Sequence, residues 1–135
     1  MDVQRAGEEM SFSNPHLKDV YARIYFDIPW PRPLPAPKEV NVRWNARFRR
    51  TSGACRPNAK IIEINMIYRD PRLRRELDYL LIHEAAHFIW RGHPRSFKQF
   101  LRSVEVPEDY VLGRTEPSSI YRLVLVDGAQ LSLFA

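Results

Sequence analysis

Cysteine is nearly absent: Cys55 stands alone in 135 residues. A single thiol excludes an internal disulfide and a thiolate metal cluster, and it suits a reducing compartment. The N-terminus lacks the apolar stretch of a secretory signal, and no apolar run approaches the length that spans a bilayer. The chain is therefore read as cytoplasmic, with no membrane partner. Internal repeats are absent too. Methionine is sparse, and Met1, Met10 and Met66 all lie in the first half. Acidic residues are outnumbered, 16 against 21 Lys and Arg, leaving a net charge of +5. That balance points to an acidic partner, most commonly nucleic acid, although many small basic proteins bind none. At this length the chain forms one domain, large enough to bury a core without covalent staples.

Histidine is scarce but concentrated. Three of the four histidines, His83, His87 and His93, fall within eleven residues. His16 lies far away and is given no role. The run His83-Glu84-Ala85-Ala86-His87 has the H-E-x-x-H pattern of zinc metallopeptidases. Histidines four apart on a helix project from one face, one turn above the other, so both imidazoles reach one zinc ion. The glutamate between them is then placed to act as general base. A histidine on an apolar helix face is more often a packed core residue, but the surroundings weigh against that here. Asp70-Pro71 reads as a helix start, and Leu73, Leu77, Leu80 and Leu81 recur at helical spacing. From Leu80 to Trp90 the segment is apolar nearly all round except for the motif. Burying His83, Glu84 and His87 without partners costs roughly 1–3 kcal/mol for each group, and a bound cation removes that cost.

His93 is the expected third ligand. Gly92 can take the left-handed conformation that ends a helix, and Pro94 cannot continue one, so the chain turns where His93 must swing back. Three imidazoles with one open position make a catalytic zinc arrangement, whereas structural sites fill all four positions with protein ligands. Metzincins space their third histidine identically, but they carry glycine where this chain has Trp90. They also need a methionine turn downstream, where this chain has no methionine.

Along the chain, the first ten residues read as a polar tail. Ser13-Asn14-Pro15 caps a helix whose Leu17, Val20, Tyr21 and Ile24 form one stripe. Prolines at 29, 31, 33, 35 and 37 make a stiff extended connector. Val40, Val42, Trp44, Ala46 and Phe48 then alternate with polar residues, which predicts a half-buried strand. Its outer face carries Arg43, Arg47 and Arg49, with Arg50 just beyond, a candidate track for phosphates. A solvated strand face explains the same residues. Residues 60–68 read as a second strand, and a shorter helix follows Pro94 on Phe97, Phe100, Leu101 and Val104. Val106-Pro107 ends it, and after a polar loop residues 121–126 read as a strand before the turn pair Asp127-Gly128. The expected fold is α+β: a compact, zincin-like single domain with a small sheet packed on the H-E-x-x-H helix, an N-terminal helix and a short C-terminal β tail. Its parts are residues 1–38 (tail, helix and connector), 39–112 (core) and 113–135 (β tail or partner-binding motif).

Trp44, Gly53-Ala54-Cys55, Ile62-Glu63-Ile64-Asn65, Leu81-Ile82-His83-Glu84-Ala85-Ala86-His87 and Gly92-His93-Pro94-Arg95-Ser96-Phe97 together resemble the SprT-like metallopeptidase domain over residues 40–101. The resemblance implies that His83, His87 and His93 bind Zn2+, that Glu84 is the catalytic acid/base, and that the protein is a cytoplasmic or nuclear peptidase. It also raises a link to DNA, because the relative Spartan digests proteins trapped on DNA. Many relatives carry a four-cysteine zinc ribbon after the domain, which this chain does not have there. At the C-terminus, Gln130, Leu131, Ser132, Leu133 and Phe134 resemble the peptide by which bacterial repair proteins dock on the β sliding clamp. The return strand of a hairpin explains those residues equally well.

The expectation is a zinc endopeptidase acting on protein substrates, among them proteins bound or crosslinked to DNA. Two alternatives stay open: a general cytosolic metallopeptidase without a DNA role, and a non-catalytic zinc-fold adaptor that binds DNA or the clamp.

Overall fold

A computed structural model describes residues 13–120. The polar tail at 1–10, the strand at 121–126 and the clamp-like residues Gln130, Leu131, Ser132, Leu133 and Phe134 lie outside the described residues. The architecture is a small compact α+β fold with a three-stranded sheet.

Helix α1, Pro15–Asp27, starts at Asn14, whose side-chain oxygen accepts from Leu17 N at 3.1 Å, with proline in the first turn. Its buried stripe is Leu17, Val20, Tyr21 and Ile24, and it packs on the strand at Asn41–Asn45 and the helix at Arg74–Ala86. The proline-rich stretch that follows is tied back at two points. The Trp30 indole donates to the Ile24 carbonyl, and the Tyr21 hydroxyl donates to that of Pro35.

The strands are β1, Asn41–Asn45; β2, Gly53–Arg56; and β3, Ile61–Asn65. Their order is β1-β3-β2, with β3 parallel to β1 and antiparallel to β2. Val42, Ile62 and Ile64 point into the core beside Leu17, Tyr21 and Leu81.

Three expectations change. The period-two strand ends at Asn45 rather than Phe48, because the Asn45 side chain accepts from Arg47 N and closes a turn. Arg47, Arg49 and Arg50 therefore leave the strand, and the single basic strand face is not formed. Arg43 stays on β1, where its guanidinium lies 3.3 Å from the buried Glu63 carboxylate. The second strand ends at Asn65, which caps a 3-10 turn, Met66–Arg69, through Ile67 N. Residues 53–56, between the two expected strands, form β2. Consequently β3 is bonded on both sides, and β2 is the sheet's edge on the site side among the described residues.

The motif helix α2, Arg74–Ala86, follows a 3-10 turn at Pro71–Leu73 capped by Asp70. From Leu80 to Ala86 every residue is buried. His87 is the C-cap, and the chain continues in tight turns to Trp90 instead of as helix. Gly92 is left-handed, φ +66°, and α3 runs Arg95–Ser103 after Pro94. The expected polar loop is in fact helical. Helix α4, Glu108–Leu112, begins after Pro107 with two acids in its first turn and ends at left-handed Gly113. A last short helix, α5, Pro117–Ile120, brings Ile120 into the core.

Candidate active site

The end of α2 and the turn after it gather the three histidines. Their rings form a nearly equilateral triangle, with centroids 5.1, 5.1 and 5.0 Å apart. Phe97 of α3 forms the base of this triangle. Its ring is 4.9–5.1 Å from all three imidazoles and stacks on His87 at 19°. The Gly92 turn swings His93 back over α2, and the next turn of chain inserts Phe97 beneath.

Backbone carbonyls set the tautomers. His83 Nδ1 lies 2.5 Å from the Tyr110 carbonyl oxygen, and His87 Nδ1 lies 3.1 Å from that of Trp90. A carbonyl only accepts, so both Nδ1 atoms carry the proton and both Nε2 lone pairs are left free. Burial pushes His83 down to about 4, helped by its histidine neighbours, and lowers His87 as well, so both are neutral at pH 7.

This donor set fits a zinc ion. One nitrogen from each of the three histidines lies within 4.8 Å of the others. The Nε2 atoms of His83 and His93 are 3.2 Å apart. Zn–N bonds of roughly 2.05 Å at tetrahedral angles require a separation of about 3.3 Å. Carbonyl-oriented Nδ1 atoms also match the usual second shell of ligating histidines.

Glu84, 6% exposed, is buried beside the triangle, and burial pushes its carboxyl up to about 8. Above it the sheet comes very close. A Cβ built on Gly53 would lie 3.3 Å from both Glu84 Cγ and Oε2. Cys55, two residues along β2, is pushed up to about 12 by burial, with the Glu84 charge adding to the effect. It is a neutral thiol at physiological pH.

The four motif side chains line an open cleft of about 610 Å³. Arg50, Thr51 and Ser52 form one wall, and the segment after α4 forms the other, with left-handed Gly113 3.8 Å from His83 Cε1 (measured from a Cβ built there). A hydrogen bond from the Ser52 hydroxyl to the Thr115 carbonyl joins the two walls. A sequence model of the SprT-like family matches residues 16–117. The chain belongs to the SprT-like family. No curated protein and no solved structure matches it. The span covered by the SprT-like match includes α1 and the proline-rich stretch as well as the motif region. Membership suggests a metallopeptidase-like domain, and the three histidines are placed to hold its metal.

The remaining expected site residues are dispersed in this SprT-like fold. Arg43 is held against Glu63, Arg47 and Arg49 are exposed in the loop after β1, and Arg50 lines the cleft. Two contributors went unseen in the sequence. Tyr110 acts through its backbone oxygen, which no side-chain pattern announces. Phe97 was visible as an apolar residue of a helix, but its place beneath three imidazoles depends on the Gly92 turn.

Proposed function

We propose that this SprT-like chain is a zinc-dependent endopeptidase with a zincin-like arrangement. The observation carrying the reading is the convergence of His83, His87 and His93 beside buried Glu84, on the floor of an open cleft. A zinc ion held there supplies Lewis acidity toward the scissile carbonyl and the attacking water. A cation held by the three histidines would favour the ionised carboxylate of Glu84 against the effect of burial, and in that form Glu84 would accept the proton of the water and return it to the leaving amine. The open edge of β2 offers backbone groups to an extended substrate, and the bare Cα of Gly53 allows it to lie close over Glu84.

Purified protein is expected to hold close to one zinc per chain, and His93→Ala to lose it readily. Glu84→Gln should keep zinc and fold while peptide hydrolysis falls by about 10²-fold or more. Equal rates in Glu84→Gln and wild type would remove the general base. A protein with neither bound metal nor metal-dependent thermal stabilisation would end the zincin reading.

We further propose proteins bound or crosslinked to DNA as the substrates, and the bacterial sliding clamp as a partner. Support comes from the net charge of +5, from exposed Arg47, Arg49 and Arg50, the last of which lines the cleft, and from the clamp-like residues 130–134. Digestion of a DNA-binding protein should accelerate when DNA is added and should lose that acceleration at high salt. A peptide of residues 128–135 should bind the clamp saturably, with Leu131, Leu133 and Phe134 as anchors. Rates indifferent to DNA, or a peptide without binding, would leave a general peptidase.

A further inference from the structure

Two hollows meet at the candidate catalytic pair. Glu84 and His87 line both the 610 Å³ cleft and a second hollow of about 440 Å³. The lining passes from one to the other along β2: Gly53 belongs to the first, Ala54 and Cys55 to the second. An extended chain lying along β2 therefore crosses both hollows, and the atoms above Glu84 mark the boundary between them.

Their chemistry differs. The second hollow is walled by Ala54, Cys55, Pro57 and Trp90, with Arg91 also on its lining. Cys55 and Trp90 are half-buried, so their faces are already partly withdrawn from water and suited to an apolar side chain. An arginine at such a wall contributes its aliphatic stem while its head reaches solvent. The first hollow carries Arg50 and Arg114, both exposed, one on each wall. Glu116 lines it too and offsets one of these charges. Arg50 has no ion pair among the described residues, and Arg114 lies close enough to Glu108 to lower that carboxyl, behind the already paired Arg102.

We propose that the cleft selects protein segments with a large apolar residue on one side of the scissile bond, seated against Cys55 and Trp90, and an acidic residue on the other, held between Arg50 and Arg114. The proposal rests on the endopeptidase reading and names the substrate class of that same site.

A mixed peptide library digested by the zinc-loaded protein, with cut sites read by mass spectrometry, tests it. Apolar residues should be enriched on one side of the cut and Asp or Glu on the other. In matched peptides the acidic member should show kcat/KM about fivefold above its lysine counterpart, the size expected of one or two partly exposed charge pairs. That ratio should shrink with added salt and invert in the Arg50→Glu/Arg114→Glu variant. It should grow in Glu116→Gln. All three substitutions are at exposed positions, and circular dichroism checks that each variant is folded. Cleavage without charge bias, or a bias that the arginine variant leaves intact, overturns the proposal while the peptidase reading stands. Cleavage of no peptide at full zinc occupancy overturns both.

Discussion

At position 53 a single carbon decides how closely the sheet can approach Glu84. A methyl group there would meet Glu84 Cγ, Glu84 Oε2 and Leu80 Cδ1, each at 3.3 Å, so the carboxylate must shift by a few tenths of an ångström. Gly53 is not in the left-handed region, so alanine strains no backbone. Gly53→Ala should therefore leave thermal stability and zinc content near wild type while lowering kcat about tenfold through a misplaced base. A variant with unchanged kcat would show that Glu84 has more freedom than the packing allows. The same scale shows what the sequence made legible. Spacing alone announces that His83, His87 and His93 can meet, because helix periodicity and the Gly92 turn are local facts. It is silent about the carbonyl of Tyr110, which reaches His83 from 27 positions further along the chain. Contacts made by backbone atoms leave no residue type to read.

Among the elements, β3 carries the least expected chemistry. Glu63 is 5% exposed, yet it is an acid in the middle strand. Arg43 from β1 reaches one of its oxygens at 3.3 Å with Asn45 at 3.1 Å, and Arg56 from β2 approaches the other at 3.2 Å. The three strands are thus joined by charge on one face and by Val42, Ile62 and Ile64 on the other. Removing Arg43 leaves the buried carboxylate with Asn45 and Arg56, a loss of about 1.5–3 kcal/mol for one charge-assisted bond. Arg43→Ala should lower the denaturant midpoint accordingly, and Arg43→Ala/Glu63→Gln should lose less than the sum of the two single changes. Additive losses would mean that Arg43 and Glu63 do not act together. Helices α1, α2 and α3 were legible because their apolar periodicity, with Asn14 capping α1 and Asp70 capping the turn that leads into α2, agrees with the packing that follows. Two short elements were not. β2 has four residues and takes its conformation from its pairing with β3, so no alternation in the sequence marks it as a strand. Helix α4 is one turn long, although Pro107, two acids and Gly113 are the signals that bound it. Arg47 and Arg49 left the strand for a comparable reason: one asparagine side chain closing a turn outweighs three more residues of alternation.

On the scale of the whole molecule, the cleft is assembled from three separate stretches of the described chain, 50–53, 80–93 and 110–116. Its floor comes from α2, its roof from the β1–β2 loop and β2, and its far wall from the segment after α4. The loop is pinned from below by Asn65, whose amide donates to the Phe48 and Thr51 carbonyls, and from the side by Ser52 reaching Thr115. No helix among the described residues is long and apolar enough to cross a membrane. Helix α4 supplies no candidate ligand, yet its Tyr110 carbonyl fixes the ring of one, His83. With a metal held by His83, its occupancy and the opening of α4 would be linked equilibria. If α4 frays, His83 loses the partner that orients its lone pair, and whatever binds that lone pair opposes the fraying. Amide hydrogens around 110–113 should exchange more slowly when zinc is added and faster after chelation, by a factor that grows with free zinc. Rates there that ignore zinc would separate the helix from the metal. A one-turn helix that supplies no candidate ligand would then be the reporter of whether an ion is present.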